Sequence, residues 1–437
     1  MKRQLTLAIG AALFAASGTV LAITDTETNA SIPFNLSNPG ARSLGMGGAF
    51  IGLADDATAA YTNPAGLTQL VTPEISAEGR HTDYSIPHVS GGSAALDPFN
   101  GSGLQTTDAD SSRTNLSFIA FVYPHERWSF AAYRNELVSY RGSFATTGDG
   151  IGLGTLYTTF PVSADADLKI IDYGFSAAFK AGDAVSLGAG LSYYDFDIRT
   201  LMTRVAFAGA FTGVAAGTPV NSQAQSGSDN DVGVNLGARF VLGEHWSAGL
   251  TYRRGPKFNY HATNTILIDN DGNPISEVVV DLKNVSFKVP DEFGAGLSWH
   301  PTDALVINFD ADYIQYSQLT HGIQSLFGND ATTVSQLTIP NGAEVHLGGE
   351  YTFTQMAHPF SLRAGIWHDP RHSIQFKGDP GTDLGSDALA AVFHGGQGSQ
   401  NHVAVGAGFA FAKFQIDAAA DFADQTDIFS LSGVYHF

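Results

Sequence analysis

The chain of 437 residues contains no cysteine. That excludes a disulfide framework, a thiolate metal site and a cysteine nucleophile. Charge is scarce too, with Asp, Glu, Lys and Arg together at 15%. Basic residues are the rarer sign, 22 against 42 acidic, for a formal net charge of −20. Nucleic acid needs a basic surface to meet its phosphates, so it is not expected as a partner. Simple electrostatic adsorption to anionic lipid is excluded on the same ground. Beyond the first residues there is also no apolar run long enough to cross a bilayer as a helix.

The first residues have their own character. Lys2 and Arg3 supply a positive start, Leu5 to Ala16 form a short apolar stretch, and Val20-Leu21-Ala22 offers a cleavage site. A transmembrane helix would need about 20 apolar residues. Here the run weakens at Ser17-Gly18-Thr19. Residues 1–22 are therefore expected to be an export signal, and absence of thiols fits passage through an oxidising compartment.

What the rest has is glycine, with 49 copies, and 11% aromatics. It also alternates. Leu305, Ile307, Phe309, Ala311 and Tyr313 interleave with Asn308, Asp310 and Asp312. Phe414, Ile416, Ala418, Ala420 and Phe422 do so with Lys413, Gln415, Asp417 and Asp421. Successive side chains of a strand point to opposite faces, so one face is greasy and the other acidic. About fourteen such strands can be laid out. They lie near 72–84, 111–123, 127–140, 166–180, 184–198, 229–242, 245–259, 285–299, 304–317, 342–354, 359–368, 400–412, 413–423 and 427–437.

The connections alternate between short ones, such as Ala181-Gly182-Asp183 and Gly243-Glu244, and long ones over 85–110, 141–165, 199–228, 260–284, 318–341 and 369–399. A soluble sandwich also alternates, but its turns are usually short at both ends. Brief turns at one end and long loops at the other mark a transmembrane barrel. The expected fold is all-β: a 14-stranded antiparallel transmembrane β-barrel in the outer membrane of a Gram-negative bacterium.

Trp128, Trp246, Trp299 and Tyr252 fall near strand ends, where amphipathic rings favour the membrane–water boundary. The terminal Phe437 closes an alternating strand. That ending resembles the signal read by the barrel-assembly machinery, an expected partner alongside outer-membrane lipid and lipopolysaccharide. Glycines recur on the polar-facing positions: Gly188, Gly190, Gly233, Gly237, Gly294, Gly296, Gly406 and Gly408. None of the Gly-Ala-Gly runs precedes a helix in a βαβ unit, so a nucleotide loop is rejected. An inward glycine lets another backbone or a ligand approach the wall closely. The lumen is expected to be occupied.

Residues 23–70 do not read as strand. Gly45, Gly47, Gly48 and Gly52 crowd a small-residue stretch, and Tyr61-Thr62-Asn63-Pro64-Ala65-Gly66-Leu67 follows. Here the chain resembles the FadL/TodX family of outer-membrane transporters of hydrophobic compounds. The residues carrying the resemblance are Gly45-Met46-Gly47-Gly48-Ala49-Phe50, Ala54-Asp55-Asp56-Ala57 and above all Asn63-Pro64-Ala65. Pro290-Asp291, Tyr316-Ser317-Gln318 and Arg363-Ala364-Gly365-Ile366 agree more weakly. The resemblance implies that residues 71–437 form the barrel and that 23–70 form a hatch, a plug with short helices, inside it. It also implies capture of long-chain fatty acids or aromatic hydrocarbons in an extracellular groove. Exit would be sideways, beside an inward kink in the third strand.

Four sets of residues are candidates for that work. Asn63, Pro64 and Ala65 would fix the hatch to the wall, with Pro64 setting the chain direction; the alternative is a plain helix-ending turn. In the third strand Trp128, Phe130 and Ala132 alternate, and then Arg134, Asn135 and Glu136 put three polar residues in a row. One extra residue there would swap faces, as a bulge does, and mark the lateral opening. Phe207 and Phe211 of one long loop, with Ile266 and Ile268 of the next, are candidates for the capture groove. Arg239, Arg253 and Arg363 face the lumen and could partner a substrate carboxylate, or instead pair with inward acidic residues.

No cofactor is called for. Asp269-Asn270-Asp271-Gly272 lacks calcium-loop spacing and reads as a hairpin turn. His368, Asp369 and His372 read as scattered loop polar residues rather than a metal site. A passive transporter of hydrophobic small molecules is the expected function. A general diffusion porin is the runner-up. An enzyme such as a phospholipase would need a Ser–His pair with an orienting group, and no spacing singles one out.

Overall fold

The structure is a computed structural model and describes residues 36–94, 103–152, 156–158, 160–211, 213–268, 274–320, 337–379 and 398–437. The expected signal over 1–22, residues 23–35 and the Asp269-Asn270-Asp271-Gly272 turn lie outside them.

Twenty strands occur among the described residues. They are β1 (Glu74–Ala94), β2 (Leu104–His125), β3 (Trp128–Ala145), β4 (Asp149–Gly152), β5 (Leu156–Thr158), β6 (Val162–Lys180) and β7 (Val185–Val205). Next come β8 (Pro219–Val241), β9 (Trp246–Arg254), β10 (Lys257–Ile268), β11 (Pro274–Lys288), β12 (Glu292–Thr302), β13 (Leu305–Ile314) and β14 (Leu337–Thr338). The last are β15 (Gly342–Phe353), β16 (Phe360–Asp369), β17 (Gln375–Phe376), β18 (Gln400–Ala410), β19 (Phe414–Phe422) and β20 (Thr426–His436).

The wall has fourteen strands, because β9 with β10 and β11 with β12 each form one broken wall strand. Neighbours pair antiparallel, and β1 closes the ring on β20 from Glu74–His436 to Tyr84–Thr426. Pairing the first strand with the last closes the sheet into a ring, the form in which a sheet can cross lipid.

Polarity places the membrane. On β7, Leu187, Leu191 and Tyr193 point outward and are about half exposed, while Ser186, Gly188, Gly190 and Ser192 point inward. One turn of the pleat further, the pattern inverts: Asp195, Asp197 and Arg199 are outside and exposed, and Tyr194, Phe196 and Ile198 are inside and buried. A strand of 21 residues reaches roughly 70 Å at about 3.3 Å per residue. That is far more than the apolar band of about 25 Å. The loop-side halves therefore project beyond the lipid.

The projection explains why β1, β2 and β8 outrun the expected 72–84, 111–123 and 229–242. In Leu104–Ser111 and Pro219–Ser228 both faces carry polar side chains, so alternation gives no signal there. At the short-turn end Trp128, Trp246 and Trp299 lie outward, with Trp246 stacked on Trp299 at 5.4 Å.

Candidate functional site

Residues 36–70 lie inside the ring against the short-turn half of the lumen wall. They form a short helix at Ala41–Gly45, another at Ala59–Thr62 and a 3₁₀ turn at Pro64–Gln69. Such small pieces satisfy few of their own backbone groups, and buried ones must find partners. The wall supplies them. Asp310 accepts from the N–H of Phe50 and of Ile51, and Ser247 donates to the Gly52 carbonyl at 2.8 Å. Ser176 donates to Ala60 O, Asn235 to Tyr61 O, and Glu74 accepts from Ala57 N.

The inward glycines make the approach possible. A Cβ on Gly188 would collide with the Pro64–Ala65 backbone, and one on Gly237 with Asn63 Oδ1. Gly249 and Gly296 clear Ile51 and Gly52, and Gly348, Gly365 and Gly406 clear Met46, Gly47 and Gly45. Gly190, Gly233 and Gly408 make room instead for wall side chains, Ser176, Tyr194 and Arg363.

Asn63 is fully buried. Its Nδ2 donates to Ile51 O at 3.0 Å and to Ala238 O at 3.3 Å, and its Oδ1 accepts from Ala65 N. Pro64 fills the first position of the 3₁₀ turn, where no N–H is missed. At the same level Arg42 holds Asp55 at 2.6 Å and Glu350 at 2.8 Å, and Glu350 also meets Arg363, which reaches Asp417. Burial pushes the Asp56 carboxyl up to about 6, against the pull of Arg42, while Asp55 adds to the rise.

Above this segment the inner face of the wall turns apolar, and the lumen at this level is termed the chamber. Tyr194, Phe196, Phe258, Tyr260, Val285 and Tyr316 belong to its buried cluster. Phe196 and Phe258 stack at 4.6 Å with their planes 6° apart. The chamber was not foreseen in the sequence, where alternation does not say which face is wet.

At the chamber's level the wall ladder is interrupted at β3. From Trp128 to Asn135 this strand pairs with β2, ending at Phe118. Beyond Asn135 it pairs with β6 alone, with a register shift between Glu136 and Val138. Leu137 and Val138 are consequently both buried. The strand then passes behind β2: the Tyr140 ring reaches Tyr84 of β1 at 5.7 Å and Phe144 reaches His88 at 4.7 Å. At the lower corner of this seam Arg134 donates to the Leu116 carbonyl and pairs with Glu136 at 3.3 Å. Asn115 Nδ2 donates to Ser139 Oγ across it at 2.8 Å.

The other candidates are placed as follows. Phe207 and Phe211 flank Phe160 at 5.5 and 5.9 Å in a loop-side cluster with Ala206 and Val220. Ile266 and Ile268 are located by backbone in β10, and their side chains lie outside the described residues. Arg253 pairs with Glu292 at 2.9 Å and covers the Tyr61 ring, and Arg363 is held by Glu350 and Asp417. Both are thus engaged by inward carboxylates, the alternative reading of their sequence pattern. Arg239 lies near the short-turn end, and its buried Nε has no hydrogen-bond partner. His372 pairs with Asp369 and stacks on Tyr316.

The model for the outer membrane protein transport protein family (OMPP1/FadL/TodX) matches residues 22–377. Outer membrane protein P1 of Haemophilus influenzae is 24% identical over 385 residues, 80% of either chain. A Pseudomonas aeruginosa FadL homologue has the same fold with TM-score 0.64, at 16% identity over 93% of this chain and 99% of that one. The Pseudomonas putida toluene transporter TodX follows with TM-score 0.58, at 15% identity over 92% and 99%. The chain belongs to the OMPP1/FadL/TodX family, outer-membrane channels for hydrophobic compounds and not enzymes.

Proposed function

We propose that the protein takes up long-chain fatty acids by groove capture, gating by a hatch over residues 23–70, and lateral exit between β2 and β3. The export signal over 1–22 is part of this reading. The departure of β3 from β2 after Asn135 carries the proposal, since it breaks the wall beside an apolar chamber. A water-filled pore offers a greasy solute nothing, whereas a chamber with a side exit keeps apolar surface out of water from capture to release. The segment below the chamber, tied to the wall by Asn63, Asp310 and Arg42, opposes ion leakage. A diffusion porin would leave that cross-section open.

One observation favours the aromatic-hydrocarbon alternative. Arg253 and Arg363 already hold carboxylates, so a substrate carboxylate at either of these two would have to displace a buried partner. An uncharged ring would not. Uptake of labelled oleate and of labelled toluene, in cells with and without the protein, decides. Uptake of oleate alone supports the fatty-acid reading, uptake of toluene alone supports the alternative, and uptake of neither contradicts both.

A further inference from the structure

The wall breaks a second time, on the side of β8. The β8 ladder pairs with β9 from Val241–Ser247 to Val234–Arg254 and with β10 from Ser226–His261 onward. Between these stretches residues 227–233 of β8 and 255–260 of the next wall strand have no ladder partner in each other. Gly255-Pro256 interrupts that strand, and Val289-Pro290-Asp291 interrupts the following one at the same height, so the two bend together. Proline has no N–H to give a ladder, and a break at a pair of them is its expected effect.

The bend carries the strand behind the lumenal face of β8. Arg253 faces inward below the break and Phe258 faces inward above it, which takes one residue more than alternation allows. Two glycines of β8 clear the way: a Cβ on Gly233 would stand 2.7 Å from Arg254 O, and one on Gly227 would stand 2.9 Å from Tyr260 Cβ. Phe258 and Tyr260, on the displaced strand, are themselves the chamber lining.

Two carboxylates replace the missing ladder. Asp231 Oδ2 accepts from Lys257 N at 2.7 Å, and Asp229 Oδ2 accepts from Asn259 N at 2.7 Å and from Asn259 Nδ2 at 3.1 Å. Side-chain acceptors on rotatable stems can release a strand that a backbone ladder would hold. The height of the seam is also informative. At its lower edge Val232, and below it Leu236 and Phe293, point outward, 49%, 48% and 45% exposed, and mark the lipid-facing belt. Arg254 and Lys257 flank the seam itself and are exposed, and among the described residues no carboxylate is in ion-pair range of either. Cations at the upper edge of an apolar belt suit a molecule with an anionic head and an apolar tail.

We propose that this second seam is a side entrance for amphiphilic carboxylates lodged in the outer leaflet. The head rests at Arg254 and Lys257 while the tail passes between β8 and β10 into the chamber. This rests on the uptake function proposed above and adds an entry route to it.

The test is a reversible closure. The chain has no cysteine, so Asp229→Cys with Asn259→Cys gives a single pair, oxidised and then reduced in the same cells. Oleate uptake is expected to fall on oxidation and to be restored by dithiothreitol. Equal uptake in both states, with uptake by the unaltered protein intact, overturns the side entrance alone. Absence of uptake by the unaltered protein overturns the transport reading beneath it. If the pair fails to assemble, Arg254→Gln with Lys257→Gln decides: a raised half-saturating oleate concentration supports the entrance, and an unchanged one overturns it.

Discussion

Gly237 of the wall and Asn63 of the docked segment fit each other without space for a side chain, since a Cβ at Gly237 would occupy the place of Asn63 Oδ1. The same asparagine ties Ile51 O to Ala238 O. Wall and plug are thus matched at the level of single atoms, and changes on either side should loosen the seal.

Gly237→Val should leave the barrel assembled and push Asn63 off the wall. In planar bilayers the unaltered protein is expected to pass little steady ion current, and the variant distinctly more. Asn63→Ala should act in the same direction. It strands buried carbonyl and N–H partners at about 1–3 kcal/mol for a buried group left unsatisfied. Currents equal to the unaltered protein in both variants would separate the lumenal segment from the seal.

The seal should also respond to pH through Asp56. Its folded value, about 6, lies above the 3.8 of an unperturbed aspartate. Ionisation therefore works against the docked state at neutral pH. Docking strengthens as pH falls through about 6 and gains nothing further below the unperturbed value. One pKa unit is about 1.4 kcal/mol, so the whole effect is at most about 3 kcal/mol. Asp56→Asn keeps an acceptor for Thr58 and removes the charge. It is expected to show fewer openings at neutral pH and a flatter pH profile. An unchanged profile would rule Asp56 out as the source.

Phe207 and Phe211, on either side of Phe160, offer a small aromatic surface at the loop end. Replacing both with Ser should raise the half-saturating substrate concentration by about twofold to tenfold, a single aromatic contact contributing about 0.5–1.5 kcal/mol. The maximal rate should be kept, because the chamber and the seam are untouched. A fall in maximal rate with unchanged half-saturation would place these rings after capture.

The sequence made much of this legible where one physical rule applied along a whole segment. Phe309 and Tyr313 opposite Asn308, Asp310 and Asp312 are a lipid face and a lumen face, and β13 has them so. The inward glycines announced an occupied lumen, and Gly188, Gly237, Gly296 and Gly406 do clear the segment lying in it. The three polar residues Arg134, Asn135 and Glu136 fall where β3 leaves β2, and the register shift follows directly after Glu136.

The chamber was hidden for the opposite reason. Tyr194, Phe196 and Ile198 continue the period of β7 with the two faces exchanged, and alternation alone does not say which face is wet. The second seam was hidden inside ranges read as continuous strand, 245–259 and 285–299. Its signal was present in Gly255-Pro256 and Val289-Pro290. The engagement of Arg253 and Arg363 by Glu292, Glu350 and Asp417 joins residues far apart in sequence, which only the closed ring brings together.

The proposed exit between β2 and β3 is most directly tested by locking it. Asn115 and Ser139 touch across the seam, and cysteines in their places would form the only thiol pair in the chain. Oxidation should stop delivery of hydrophobic substrate into the membrane while the barrel stays folded, and reduction should restore it. Undiminished delivery with the pair fully oxidised would contradict exit through the wall.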